Sequence, residues 1–186
     1  MFELITQTDL KIIENLEILR RPLFDKLMII ITYLGNWQVI LLGLIICSLI
    51  FILYNKWNYL KILLISVLGG QIIVEVMKHI IRRSRPVLNP LIEETGFSFP
   101  SGHAFAAVYF YGLLTYLLVK ELKNGLHRII VVVIGLIIIL GIGFSRVYLG
   151  VHWVSDVITS YILGLIWLAI VIFAFNKINK SNLKGN

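Results

Sequence analysis

The sequence has 186 residues, is 59% apolar and carries charge on only 15% of them, where a soluble domain would carry about 25%. Its apolar residues run in blocks at 37–54, 62–76, 129–144 and 157–175, close to the ~20 residues that cross a ~30 Å hydrocarbon layer as a helix, which excludes a soluble globular fold. Most of the net charge of +7 flanks these blocks, as basic residues beside membrane spans do, so the partner it points to is the lipid bilayer and not nucleic acid.

Residues 1–22 carry Glu3, Asp9, Lys11, Glu14, Glu17, Arg20 and Arg21 with no apolar h-region, so no cleavable signal peptide is expected there. Residues 9–20 read as an amphipathic helix. Ile5, Ile12, Leu16, Leu19 and Leu23 recur at helical spacing, and Lys11, Glu14 and Glu17 lie opposite; such a helix lies in the membrane interface. Residues 23–34 are apolar but short, and Gly35-Asn36 marks a break. Full spans are expected at about 37–55, 58–80, 102–120, 126–145 and 152–175. The fold class is therefore all-α, a polytopic transmembrane bundle of five full spans, or six if residues 23–34 insert deeply. No repeat or linker divides it. The chain reads as one membrane-embedded domain over 1–186, with an interfacial segment at 1–35 and a transmembrane core at 36–176. The single cysteine, Cys47, falls within a span and permits no intrachain disulfide.

Short loops set topology by their positive charges. Lys56, Lys61, Lys120, Lys123, Arg128, Lys177, Lys180 and Lys184 mark one side as cytoplasmic. Segments 81–101 and 146–152 are then outside, in a multi-pass protein of the cell membrane.

Three polar segments meet at that outer face: Lys78-x6-Arg85-Pro86, Pro100-Ser101-Gly102-His103, and Ser145-Arg146-x5-His152-x3-Asp156. Lys78, Arg85 and Arg146 bring three cations to the edge of a low-dielectric layer, where each is costly without an anionic partner. A phosphate supplies about two negative charges and fits the paired donors of arginine. Ser101-Gly102-His103 opens a helix, whose free amides favour an anion, with Gly102 allowing close approach. His152 and Asp156, four apart, read as sharing a helix face. The carboxylate would hold one ring nitrogen and leave the other as nucleophile. His103, on another helix, is placed to protonate the leaving oxygen. The three basic side chains supply the charge that a metal would, so neither metal nor cofactor is expected.

These residues resemble the type 2 phosphatidic acid phosphatase superfamily, whose three-part signature they match at all eleven specified positions. The resemblance implies a metal-free phosphatase in which Lys78, Arg85, Ser101, Gly102, His103 and Arg146 bind phosphate, His103 is the acid, His152 the nucleophile and Asp156 its partner. Small size and an outer-facing site are similar to the bacterial members that dephosphorylate undecaprenyl pyrophosphate, the substrate expected first. Phosphatidylglycerophosphate, phosphatidic acid and lipid A phosphatases share the signature. Vanadium haloperoxidases share it too, but are large and soluble. A lipid-binding or transport protein with a dead site is the reading from a different class.

The remaining polar residues read as structural. Glu75 is expected to pair with Lys78 one turn away, Arg82 and Arg83 to be lipid-headgroup or rim contacts, and His79 and His127 to be incidental. Trp37, Trp57, Trp153 and Trp167 fit an interfacial belt. Gly141 and Gly143 fit close helix packing.

Overall fold

A computed structural model describes residues 2–182, with side chains for 5–177. Lys184 and the side chain of Lys180, both assigned to the cytoplasmic side, lie outside the described residues. Every regular element described is helical: α1 Phe2–Ile18, α2 Pro22–Tyr33, α3 Trp37–Leu53, α4 Trp57–Ile81, α5 Gly102–Ala106, a π-helical segment Ala107–Gly112, α6 Leu113–Glu121, α7 Gly125–Tyr148 and α8 Val154–Asn182.

Among the described residues, four unbroken helices are long and apolar enough to cross a bilayer: 57–81, 102–121, 125–148 and 154–177. The fifth span differs from its expected form. α3 has 17 residues, about 26 Å of helix. It passes the test only together with α2, from which it bends by 48°. Residues 23–34 therefore do not stand as a sixth full span, and α2 and α3 together form a broken span or a re-entrant loop. Pro22 opens α2 with its φ already set for a helix, and Gly35 makes the elbow. A Cβ on Gly35 would stand 2.8 Å from Ile142 Cγ2 and 2.9 Å from His103 Cδ2.

The helix 102–121 is the hub, with 50% of its apolar window buried against 22–33% for the other spans. Phe105, Val108, Tyr109 and Leu113 on it pack against Leu63, Val67 and Val74 of α4 and Leu168 and Val171 of α8. Its π-helical turn begins four residues after His103, and such turns collect at functional sites. Close packing relies on small residues, as lipid tails supply no hydrophobic drive between helices. A Cβ on Gly143 would lie 1.9 Å from the Tyr161 hydroxyl, whereas one on Gly141 would meet only Ile31 at 3.5 Å; of the two, Gly143 alone is required by packing.

α1 begins earlier than the expected 9–20 and ends at Ile18, and it docks on α7 and α8. Its inner face carries Asp9 and Ile13, 4% and 0% exposed, while Ile5, Ile12 and Leu19 stay exposed as an interfacial face would. Burying an isoleucine contributes about 1.5–3 kcal/mol relative to leaving it in water. Trp37 and Trp57 are exposed near span ends, but Trp153 is buried and Trp167 donates its indole N–H to Ser66 O at 2.9 Å. Trp153 is thus a core residue and Trp167 a half-buried one packed against the core, and neither is held as a free belt residue.

At one end of the bundle Lys56 and Tyr59 bond Glu121 at 2.9 and 2.6 Å, tying the α3–α4 turn to the α6–α7 turn. The opposite end holds the loop 82–101, the α2–α3 elbow and the α7–α8 turn.

Candidate active site

A cavity of about 450 Å³ opens at that second end, between α3, α4 and the start of α5. Lys78, Arg85, Gly102, His103 and His152 line it, so five of the eight residues singled out by sequence border one cavity. Arg146, Ser101 and Asp156 stand behind it, at 1%, 0% and 0% exposure.

Each cation is held differently. Arg85 donates to three loop carbonyls, Gly96 O at 3.1 Å, Thr95 O at 3.0 Å and Val151 O at 2.8 Å, and its Nη1 lies 3.2 Å from His152 Nε2. Arg146 donates to Thr32 Oγ1 at 2.7 Å and to the Glu94 carboxylate, while its buried Nε has no acceptor. Glu94, on the loop 82–101, also lies 3.8 Å from Arg85 and lines the cavity. A carboxylate therefore occupies part of the space that the basic residues prepare for an anion. Burial acts to raise the Glu94 carboxyl, but Arg146 and Arg85 outweigh it and hold it below the usual carboxylate range. Lys78 makes no ion pair among the described residues. Glu75 does not reach it and accepts instead from Gln71 Nε2 at 3.3 Å.

Ser101 caps the helix, its Oγ accepting from the Ala104 amide at 3.4 Å, and its own amide donates to Ser160 Oγ at 2.8 Å. Of the amides expected to be free, those of Gly102 and His103 remain so among the described residues and that of Ser101 does not. A Cβ on Gly102 would meet only Val74, at 3.7 Å, so the backbone there is open to a ligand.

His152 and Asp156 are not on one helix. His152 precedes α8, and Asp156 is the third residue of that helix. Asp156 reaches back to accept from the Trp153 amide at 3.2 Å, the return bond of a capping box. Its Oδ2 lies 3.7 Å from His152 Nδ1 and accepts from Ser98 Oγ at 2.5 Å. Ser98 Oγ is in turn 3.4 Å from His152 Nδ1. The Nε2 edge therefore faces the cavity. Burial, reinforced by Arg146 and Arg85 and opposed by Asp156, pushes the His152 imidazole down to about 4, so it is neutral at physiological pH. His103 stands across the cavity with its Nε2 2.6 Å from Asn36 Oδ1.

Sequence reasoning missed Ser98, Glu94, Thr32, Asn36, Asp9 and Arg83. Arg83, read as a rim contact, is turned inward: it bonds Asp156 Oδ1 at 2.6 Å and Asp9 Oδ2 at 3.1 Å. One signal was available. Asp9 shares helical phase with Ile13 and Leu16, which marks a carboxylate on a packing face. Asn36 and Thr32 border the break at Gly35, but nothing in their spacing points to a histidine in another span.

The family model of the PAP2 superfamily matches residues 59–180. Phosphatidylglycerophosphatase B of Bacillus subtilis strain 168 is 38% identical over 157 residues, 83% of this chain and 76% of that protein. An undecaprenyl-diphosphatase of Sulfolobus acidocaldarius is 36% identical over 108 residues, 55% of this chain and 48% of that protein. The fold matches the crystal structure of a transmembrane PAP2-type phosphatidylglycerolphosphate phosphatase from Bacillus subtilis, with a TM-score of 0.86 and 35% identity over 93% of this chain and 87% of that one. It also matches Aquifex aeolicus LpxE, with a TM-score of 0.71 and 25% identity over 88% and 93%.

Proposed function

Since the chain belongs to the PAP2 superfamily of membrane lipid phosphatases, we propose that it removes the terminal phosphate of a glycerol-linked lipid, phosphatidylglycerophosphate first, through a phosphohistidine on His152. The observation that carries this reading is the lining of the cavity. Beyond Lys78, Arg85 and the two histidines it is lined from α3, α4 and the π-helical segment by apolar Leu41, Leu44 and Leu68 and by polar Gln71, Glu75 and Tyr109. A phosphate at the mouth leaves its ester oxygen pointing inward, toward groups that suit a hydroxylated glycerol followed by acyl chains. The relative named for phosphatidylglycerophosphate also matches over more of the chain than the undecaprenyl-diphosphatase does. Undecaprenyl pyrophosphate, first by sequence, becomes the second reading, supported by that relative.

In the proposed mechanism Lys78, Arg85 and Arg146 receive the phosphoryl oxygens, Glu94 turns aside, and the amides of Gly102 and His103 add donors. His152 Nε2 attacks phosphorus. The N–P bond forms as the P–O bond to the lipid breaks, and His103 gives its proton to the departing oxygen. Positive charge on the His152 ring is balanced by Asp156. Water then attacks phosphorus and His103 takes its proton; as the new O–P bond forms, the N–P bond breaks, its electron pair returns to His152 Nε2, and inorganic phosphate leaves. The site is read as facing away from the cytoplasm. A cysteine probe at Glu93 should then react with an impermeant label in intact cells and one at Lys123 should not.

The test is phosphate release by purified protein in detergent with excess chelator. The panel is phosphatidylglycerophosphate, undecaprenyl pyrophosphate, phosphatidic acid and lipid A. The highest kcat/KM is expected with the first. A higher value with undecaprenyl pyrophosphate would favour the second reading, and no release from any substrate would return the chain to a lipid-binding or transport role.

A further inference from the structure

Asp9 does not suit a helix that merely rests in the membrane interface. An apolar inner face would be enough to dock α1, yet a carboxylate sits there, 4% exposed. Buried carboxylates are costly unless paired and hydrogen-bonded. Among the described residues its partners are Ser155 and Arg83, which lie against the carboxylate that faces the nucleophile. Asp9 Oδ1 accepts from the Ser155 amide at 3.0 Å, and Oδ2 accepts from Ser155 Oγ at 2.5 Å and from Arg83 Nη2 at 3.1 Å. Arg83 spends its other terminal nitrogen on Asp156 Oδ1 at 2.6 Å and Ser155 Oγ at 2.7 Å, and its guanidinium lies 5.1 Å from the Trp153 ring centroid. A row of charges, negative, positive, negative, thus runs from α1 through the segment after α4 to the carboxylate that faces His152.

We propose that Arg83 and Asp9 are positioning residues for phosphoryl transfer, Arg83 fixing the Asp156 carboxylate and Asp9 fixing Arg83, so that α1 is a working part of the active site. The inference rests on the phosphohistidine reading above. Asp156 meets His152 through Oδ2, which Ser98 Oγ and the Trp153 amide hold, while Arg83 holds Oδ1. Without Arg83 one of the two oxygens loses its charged partner, and the carboxylate is freer to turn about its Cβ–Cγ bond away from the ring. The charges also act on the proton affinity of His152, in opposite directions. His152 is faced by Asp156 from α8, Arg85 and Glu94 from the loop, Arg146 from α7, His103 from α5 and Lys78 from α4. Behind Asp156 stand Arg83 and Asp9. Loss of the Arg83 cation makes the imidazole easier to protonate, and loss of the Asp9 anion makes it harder.

The experiment compares full-length wild type, Arg83→Gln, Arg83→Lys, Asp9→Asn and the double variant Asp9→Asn/Arg83→Gln in detergent. It follows kcat, KM and the acid limb of the kcat–pH profile on a short-chain phosphatidate. Arg83→Gln should lower kcat about ten- to a hundredfold, the scale of a misplaced catalytic group, with KM nearly unchanged and the acid limb moved to higher pH. Arg83→Lys should recover part of the loss. Asp9→Asn should move the acid limb to lower pH. The double variant should lose no more than Arg83→Gln alone, since Asp9 acts through Arg83. A wild-type rate and profile in Arg83→Gln, limbs that move the same way, or losses that multiply would each overturn the proposal. If Arg83→Gln cannot be purified folded, the direction of the Asp9→Asn shift decides. A wild-type protein that forms no acid-labile phosphoenzyme would instead sink the parent reading.

Discussion

Glu94→Gln is expected to tighten the binding of inorganic phosphate and vanadate. The Glu94 carboxylate pairs with Arg146, whose side chain is 1% exposed, lies 3.8 Å from Arg85 and lines the cavity with both histidines. A dianion entering that cavity must break a charge-assisted bond of about 1.5–3 kcal/mol. If Glu94 stayed in place, charges of one and two units ~6 Å apart would repel by about 5 kcal/mol at an effective dielectric near 20. The carboxylate is 27% exposed on a loop and can turn to water, so the smaller figure is the one the substitution recovers. It corresponds to about a ten- to hundredfold lower Ki. Because Arg146 and Arg85 hold the Glu94 carboxyl below the usual range, it is ionised throughout the neutral range. The gain should then be flat from about pH 6 to 9, well above ordinary carboxylate values. The assay is competitive inhibition by orthovanadate and by phosphate against a short-chain lipid phosphate. An unchanged or weaker Ki in Glu94→Gln would refute the idea that this carboxylate stands where the anion goes.

Other outcomes follow from the same geometry. His152→Ala should abolish turnover and the acid-labile phosphoenzyme, whereas His103→Ala should regain phosphoenzyme formation with a nitrophenyl phosphate, whose leaving group needs little protonation. Label that persists in His152→Ala and vanishes in His103→Ala would mean that nucleophile and acid are exchanged. His152 also makes stability depend on pH. Above its ordinary value of 6.5 the ring is neutral in both states. As pH falls toward its folded value of about 4, the unfolded chain takes up a proton that the folded one refuses. Stability is then lost progressively, by about 3 kcal/mol in all. The wild-type Tm in detergent should drop more between pH 7 and 4.5 than that of His152→Gln, and parallel curves would contradict the burial argument. Gly35→Ala would place its Cβ 2.9 Å from His103 Cδ2 and should lower kcat by about tenfold or more while the protein remains folded by its melting profile; full activity would show that the elbow can give way.

The sequence by itself determined that this chain crosses a membrane as helices, and it named polar groups that the fold gathers at one cavity. Both rest on local information. Apolar run length is read directly against bilayer thickness, and Lys78, Arg85, His103, Arg146, His152 and Asp156 stand at span ends that alternate regularly between faces. Its errors came where three dimensions decide. That α2 and α3 meet at a 48° bend depends on the elbow at Gly35 fitting against Ile142 and His103, residues of two other helices. That Arg83 turns inward depends on a carboxylate 74 positions earlier, and the same contact makes α1 more than an anchor. Periodicity along one helix shows which residues share a face but not what that face meets. The spacing of four between His152 and Asp156 likewise suggested a common helix, yet α8 starts after His152, and Ser98, from a loop 54 residues away, stands between the two side chains. Buried polar groups take their partners from wherever the fold brings them, because an unpaired one is too costly to keep. Those partners are decided by tertiary packing, and no motif in the chain records them.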